Sequence, residues 1–139
     1  MNSAEISRQL REVFVLLEFG NHQALQPFQL DNLEYNALNL LDCESGLRMV
    51  DLRARLLCDK SKVTRLIDRL ERSGFVMRKA SRKDRRSIRV HITPAGVKEC
   101  DKAKPVIKRA NAKIKSGFSR AEIEMFKRVL NSLFEKFRL

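Results

Sequence analysis

The amino-acid sequence predicts a mainly α-helical protein that contains one small antiparallel β-hairpin. Apolar residues recur at helical spacing over most of the 139 residues, and this spacing changes to alternation in two short segments near the middle. Only 5 Gly and 3 Pro interrupt the pattern. A chain of this length with 43% apolar residues is expected to fold as one domain around a single core.

The first two helices are predicted from capping boxes, in which an acidic residue follows the cap by three positions. Asn2 and Glu5 have this spacing before the first helix, whose latest possible end is set by Pro27. Asp31 and Glu34 have the same spacing before the second helix. Each segment carries apolar residues at helical spacing, so both helices are expected to have one apolar face.

Two further helices are predicted before the hairpin. The shorter one starts at Val50 and has three leucines, among them Leu57, on its inner side. The longer one is capped by Asp59 and ends before Gly74, because glycine suits the left-handed position after a helix end. We expect these two helices to form a helix-turn-helix.

The hairpin is predicted from residues 75–79 and 87–92, in which apolar and polar side chains alternate as in half-buried strands. Six residues between the two segments, 81–86, are almost all charged. Two strands joined by a projecting basic tip predict the wing of a winged helix.

Two long helices are predicted after the wing. Thr93 and Pro94 begin the first by a cap and a first-turn proline, and Ser119 with Glu122 is the capping box of the last. The first and last helices of the chain carry more apolar surface than a small winged-helix core can cover. We favour a homodimer built from these helices over packing within one chain.

The charge of the chain is concentrated in its middle third. The formal net charge is +12 and the isoelectric point about 10.2. Residues 1–46 carry a net −5, residues 47–98 a net +11 and residues 99–139 a net +6. A cationic surface of this kind neutralises phosphates and favours nucleic acid as a partner, although an ordinary solvated face is the alternative.

Several classes of protein are not expected. The longest apolar run, residues 13–17, is too short to span a membrane, and no basic start with an apolar stretch marks a secretion signal. We therefore expect a soluble cytoplasmic protein with no membrane partner. Three cysteines at wide spacing, Cys43, Cys58 and Cys100, fit free thiols in a reducing compartment.

Enzyme chemistry is not predicted either. The two histidines, His22 and His91, belong to no metal-binding, nucleophile or phosphate-loop motif. A zinc site formed by His91 and Cys100 is conceivable but lacks a four-ligand pattern. The sequence therefore predicts no enzyme activity, no cofactor and no metal.

The helix that starts after Asp59 is the first candidate for contact with DNA. Its apolar stripe predicts an inner face, which leaves a cationic and donor-rich outer face on its N-terminal half. Such a helix fits the major groove, where lysine, arginine, serine and threonine reach base edges and phosphates. The candidate residues are Lys60, Ser61, Lys62, Thr64, Arg65 and Arg69. A solvated amphipathic helix is the alternative.

The wing tip is the second candidate. Its residues are Arg82, Lys83, Asp84, Arg85 and Arg86. A guanidinium on a thin hairpin can enter the minor groove, where A·T-rich stretches concentrate negative potential. The adjacent carboxylate of Asp84 would position that guanidinium. A mobile surface turn is the alternative.

Four stretches together resemble the signature of MarR-type transcriptional regulators. They are residues 49–52, residues 60–76 with the ending LERSGFV, the DRR of residues 84–86, and the ITPAG of residues 92–96. The resemblance implies an obligate homodimer that binds pseudo-palindromic promoter DNA, usually as a repressor. It also implies release by a small, often phenolic or anionic ligand, or by cysteine oxidation.

Carried over by residue, the resemblance places Ser61, Lys62, Thr64 and Arg65 on the recognition helix and makes Arg86 the wing arginine held by Asp84. The cysteine that peroxide sensors of this family carry early in the first helix is absent here, so oxidation sensing is not expected.

The effector is expected between the dimer helices and the DNA-binding region. The residues predicted to line this site are Phe14, Leu17, Phe28 and Tyr35. Residues 1–30 and 99–139 would form the dimerisation region and residues 31–98 the winged helix-turn-helix. The alternatives to a sequence-specific regulator are a basic protein that compacts nucleic acid without sequence preference and a winged helix that binds protein.

Overall fold

A computed structural model describes residues 1–42, 45–84 and 87–138. Within these residues, the chain contains six α-helices and a three-stranded antiparallel sheet. The elements are α1 (Ser3–Leu25), α2 (Asn32–Asp42), β1 (Leu47–Arg48), α3 (Met49–Leu56), α4 (Lys60–Arg72), β2 (Val76–Ala80), β3 (Ile88–Ile92), α5 (Pro94–Ala110), a short 3-10 helix (Ala112–Lys115) and α6 (Arg120–Phe137). The predicted mainly α fold with a small β wing is confirmed.

Side-chain caps begin the first two helices as the sequence predicts. The Asn2 carboxamide oxygen accepts from the Glu5 backbone N–H at 3.0 Å, and the Glu5 carboxylate accepts from the Asn2 N–H at 2.8 Å. The Asp31 carboxylate accepts from the Glu34 N–H at 2.8 Å. Helix α1 continues through Gly20 and includes residue 25. These bonds satisfy donors that a helix start leaves open.

The later helices are capped in the same way. Asp59 accepts from the Lys62 N–H at 2.7 Å, and Thr93 accepts from the Gly96 N–H at 3.1 Å. Ser119 begins α6 as part of a second complete capping box. Because the caps fix where α4, α5 and α6 begin, they also fix which side chains each helix directs toward the core.

One hydrophobic core lies between the sheet and helices α2 to α5. Its fully enclosed side chains come from these elements and from the end of α1: Leu25, Leu38, Leu41, Leu52, Val63, Leu66, Ile67, Leu70, Val76, Val90 and Cys100. Cys58 is half-buried, and Cys43 lies outside the described residues. The burial of Cys100 makes it a packing residue of α5.

The sheet contains a strand that the sequence does not predict. β1 pairs with β3 through Leu47 opposite Val90, so the strand order is β1-β3-β2. Two residues are too few to show alternation, which explains the omission. Just before β1, Gly46 has a φ of +90°, and a Cβ there would collide with the ring of His91. Glycine is therefore required by both backbone conformation and close approach.

Two details of the helix-turn-helix differ from the prediction. Helix α3 begins at Met49, one residue before Val50. The placement of Leu57 on the inner side is wrong, since its side chain is 81% exposed. Leu57 is the C-cap of α3 with a φ of +52°, and this left-handed conformation turns its side chain away from the inner face of the helix.

The two terminal helices expose their apolar side chains. Residues 3–16 of α1 are all exposed, and no residue of α6 is buried. The large exposed side chains of these helices are Ile6, Leu10, Val13, Phe14, Val15, Leu16, Phe19, Met125, Phe126, Val129, Leu130, Phe134 and Phe137. Apolar surface of this extent is typical of an interface.

None of the helices in the described part of the chain has both the length and the hydropathy needed to cross a membrane.

Candidate nucleic-acid interface

Helix α4 separates its apolar and polar residues completely. The four side chains of its inner stripe, Val63, Leu66, Ile67 and Leu70, are all enclosed in the core. Lys60, Ser61, Lys62 and Arg65 are exposed and Thr64 is half-buried. Since the buried stripe prevents the helix from rotating, its cationic face is held toward solvent.

Two hydrogen bonds order the outer face of α4. The Thr64 hydroxyl donates to the Lys60 carbonyl oxygen at 2.8 Å, which leaves its oxygen lone pairs as acceptors toward solvent. The Arg65 guanidinium donates to the Ser61 hydroxyl at 3.3 Å, one turn away. These contacts lie along the N-terminal half of the helix, where free backbone N–H groups favour an approaching phosphate.

Arg69 is placed differently from the other candidates on α4. Its side chain is half-buried, and its guanidinium lies 3.8 Å from the carboxylate of Asp31, the cap of α2. The contact joins α4 to the start of α2. Arg69 thus stands apart from the exposed cations of the N-terminal half, and its predicted role in DNA binding stays a prediction.

The wing tip is closed by backbone hydrogen bonds. The Ser81 N–H donates to the Ser87 carbonyl oxygen at 2.9 Å, and the Ser87 N–H donates to the Asp84 carbonyl oxygen at 3.0 Å. Arg82, Lys83 and Asp84 are exposed.

Arg85 and Arg86 lie outside the described residues. The contact between Arg86 and Asp84 that the sequence predicts therefore stays a prediction.

Arg78 on β2 joins the wing to α4 and is a residue that the sequence analysis missed. Its guanidinium donates to Asp68 at 2.6 Å and to Glu71 at 2.9 Å, and its backbone N–H donates to Glu71 at 3.1 Å. The two carboxylates lie three residues apart and thus on one side of α4. The two acidic residues at this spacing were the available signal in the sequence. Their basic partner was not predicted, because Arg78 lies in a different element.

A second unpredicted pair lies at the start of α3. The Arg48 guanidinium donates to the Asp51 carboxylate at 3.0 and 3.3 Å. This hydrogen bond lowers the pKa of Asp51 and raises that of Arg48. Arg48 is the N-cap of α3 and makes no side-chain cap bond to the backbone, so its contact with Asp51 is the polar side-chain contact at this helix start.

The predicted effector residues are divided between two environments. Phe14 is exposed on α1 and lines an open cleft of about 700 Å³ between α1, α2 and the helix-turn-helix. Leu17 is half-buried on the same helix and does not line this cleft. Phe28 and Tyr35 pack against the core, and burial raises the pKa of Tyr35.

The cleft that contains Phe14 extends to the recognition helix. Leu57 and Lys62 lie on its far side. A second cleft, of about 810 Å³, lies between the helix-turn-helix and α6, where it is lined by Cys58, Phe134 and Arg138 among others. Each cleft therefore connects a terminal helix with the cationic region.

No group of three or more His, Cys, Asp or Glu side chains that could hold a metal ion occurs in residues 1–42, 45–84 and 87–138.

Comparison with protein families links this arrangement to known proteins. The model of the MarR family matches residues 30–88, which include α2, α3, α4 and the wing strand β2. The transcriptional regulator YkoM of Bacillus subtilis is 36% identical over 86 residues, and this alignment covers 62% of the chain and 56% of YkoM. The chain thus spans little more than half the length of this curated relative.

Solved structures extend the likeness to the terminal helices. CouR from Rhodococcus jostii, solved with bound p-coumaroyl-CoA, is 26% identical, with a TM-score of 0.85 over 94% of this chain and 92% of that one. A mutant MarR from Escherichia coli complexed with operator DNA is 20% identical and has the same fold, with a TM-score of 0.83 over 93% of both chains. With its winged helix, its match to the family model over residues 30–88 and its similarity to the transcriptional regulator YkoM, the chain is similar to proteins of the MarR family.

Proposed function

We propose that this protein is a sequence-specific DNA-binding transcriptional regulator that acts as a homodimeric repressor at pseudo-palindromic promoter sites. The observation that carries the proposal is the division of α4 into a fully buried apolar stripe and an exposed cationic N-terminal half. The helix is fixed in orientation, and it presents side chains that pair with guanine acceptors and phosphates. The operator complex of E. coli MarR supports the same use of this fold.

Two elements would share the contact with DNA. The N-terminal half of α4, with Lys62 and Arg65, would lie in the major groove, while Arg82, Lys83 and Arg86 of the wing would approach the minor groove. Asp84 would hold the guanidinium of Arg86. The remaining candidates on α4 would bind phosphates or lie at the margin of the contact with DNA. Arg69 would contribute least, because its guanidinium lies beside the carboxylate of Asp31.

The homodimer would be built by residues 1–30 and 99–139, with residues 31–98 as the winged helix-turn-helix. Support comes from the exposed apolar side chains of α1 and α6, which a second copy of the chain can cover. Two-fold symmetry would place two α4 helices about 34–36 Å apart, one turn of duplex. Sedimentation of the purified chain tests the dimer, and a monomer at working concentration contradicts it.

Relief of repression by a small aromatic or anionic ligand is the second part of the proposal. The cleft with Phe14 on one side and Lys62 on the other supports it, since a ligand held there contacts a terminal helix and the recognition helix together. Leu17, Phe28 and Tyr35 do not line this cleft, so of the four predicted effector residues Phe14 is the one that supports the proposal. An unchanged melting temperature with a panel of aromatic acids counts against it.

The proposed protein is not an enzyme, needs no cofactor or metal and works in the cytoplasm. A regulatory rather than an enzymatic role is supported by YkoM, YfiV and YetL of Bacillus subtilis, which are named as transcriptional regulators or a repressor.

The deciding experiment is a footprint and gel shift on the upstream region of the gene itself, with random DNA as competitor over a range of salt concentrations. A regulator protects an inverted repeat and prefers it by about 1,000-fold or more. Steep salt dependence with no preference would instead indicate nucleic-acid compaction, and absence of DNA binding would favour a protein-interaction module.

Arg86→Ala tests the wing within the same assay. We expect severe loss of operator affinity without loss of folding, because Arg86 would be the minor-groove contact. Arg120→Ala, which removes an exposed arginine at the start of α6, is the matched control. Normal affinity of the Arg86 variant refutes the wing assignment.

A further inference from the structure

The two strands of the wing are attached to the rest of the protein in different ways. β2 is an edge strand that pairs with β3 alone, and β3 is the central strand of the sheet. At the base of the wing, the Phe75 N–H donates to the Leu70 carbonyl oxygen at 2.9 Å, and the Thr93 hydroxyl donates to the Gly74 carbonyl oxygen at 2.6 Å. Both bonds lie at the hinge. Beyond it, β3 is held by its pairing with β1 at Val90 and Arg89, whereas the outer edge of β2 has no neighbouring strand among the described residues.

Arg78 attaches the edge strand β2 to α4 beyond the hinge. It lies at the centre of β2, opposite Val90, and its side chain is only 25% exposed although both of its partners lie on the surface of α4. Glu71 accepts from the backbone N–H and from the guanidinium of Arg78, while Asp68 accepts from the other arm of the guanidinium. A planar guanidinium held at two carboxylates restricts rotation as well as distance.

The carboxylate of Glu71 also accepts a backbone hydrogen bond that a neighbouring strand would accept in a wider sheet. The N–H of Arg78 points to the open edge of β2, where a neighbouring strand would otherwise provide the acceptor. The backbone of the wing is therefore bonded to the Glu71 side chain of α4, and this contact does not depend on the rotamer of Arg78.

We propose that Arg78 is a positioning residue that fixes the wing tip relative to the recognition helix, so that both reach one DNA duplex together. The inference rests on the proposed function, and it adds a residue that need not contact DNA. Its consequence is that the wing-tip cations Arg82 and Lys83 contribute to binding only while Arg78 is bonded to Asp68 and Glu71.

A purely electrostatic role is the competing explanation. Without Arg78, two carboxylates on α4 would lose their partner and repel phosphates nearby. The two explanations differ in what happens when the carboxylates are neutralised as well. Repulsion disappears in that case, whereas the loss of position remains.

The test is a set of double-mutant cycles on operator affinity in the full-length protein. Operator affinity is measured for two changes, the wing-tip double variant Arg82→Ala/Lys83→Ala and, separately, Lys62→Ala. Each change is made in three backgrounds: the wild type, Arg78→Met, and Arg78→Met/Asp68→Asn/Glu71→Gln. We expect the wing-tip change to weaken operator binding by on the order of tenfold in the wild type. In each Arg78 background, the same change should weaken operator binding by less than about twofold. The Lys62 change, located on α4 itself, keeps its full effect in every background.

Two results overturn the inference: a wing-tip change that keeps its full effect in Arg78→Met, or recovery of wild-type affinity and wing-tip effect in the neutralised triple variant. Asp68→Ala/Glu71→Ala removes the same contact from the α4 side, and it gives the same decision if Arg78→Met fails to fold. Failure of the proposed function is distinct, because the wild type itself would then show no preference for the operator.

Discussion

Helices α4 and α6 are both amphipathic, but the apolar face of α4 is buried whereas that of α6 is exposed. All four apolar residues of the α4 stripe are enclosed, whereas Phe134 and Phe137 of α6 are 65% and 78% exposed. Helical periodicity predicts an apolar face in each case. It does not specify what covers that face.

The difference follows from where each helix lies in the chain. Helix α4 is preceded by α3 and followed by β2, and both pack against it together with α2. Helix α6 follows the short 3-10 helix and buries no side chain. We infer that the apolar face of α4 is covered within one chain, and we propose that the apolar face of α6 is covered by a second copy of the chain.

The largest effect is expected from breaking the α4 face. Leu66→Ala should lower the free energy of unfolding by about 2–5 kcal/mol, because it leaves a cavity in a closed core. Urea denaturation at fixed protein concentration measures this. Leu57→Ala removes the same atoms from an exposed position and should cost less than about 1 kcal/mol. Equal losses at both positions would contradict the assignment of the core.

The face of α6 is tested by Leu130→Asp. A charge on the proposed dimer face should raise the dimer dissociation constant by at least about 100-fold, near 2.8 kcal/mol, because the carboxylate would be buried without a partner. Sedimentation over a dilution series measures it. Ser132→Asp adds the same charge on the other side of α6 and should leave the dimer intact; dissociation by both variants would argue against a specific face.

The outer face of α4 is tested by Lys62→Ala. If its ammonium group reads a base, operator affinity should fall by about 1–3 kcal/mol, with reduced preference at one base pair. Gel shifts on single-base operator variants measure both quantities. A loss that is equal on all sequences would mark a phosphate contact. Lys127→Ala on α6 is the matched control, and we expect unchanged operator affinity for it.

The smallest effect is expected at the turn that leads into α4. Leu57→Gly should be more stable than Leu57→Ala by about 1 kcal/mol, since only glycine adopts a φ of +52° without strain and neither variant buries the side chain. Comparing these two variants removes the contribution of leucine packing. Thermal unfolding measures the difference, and a less stable glycine variant would contradict the backbone explanation.

The candidate site was largely predictable where its features are local in sequence. The caps of Asp59 and Thr93, the exposed cations of α4 and the hairpin all depend on residues within a few positions of one another. The pair of Arg78 with Asp68 was not predicted because it depends on how the hairpin folds back onto α4. Strand β1 was missed because two residues carry no periodicity.

By itself, the sequence determined the order of helices and wing, the capping residues and the placement of positive charge, because each depends on short-range spacing and composition. Tertiary structure alone decided that Leu57 faces solvent, that Arg69 meets Asp31, and that Arg78 ties the wing to α4. These contacts depend on distances between segments, and such distances are set only when the shared core brings the segments together.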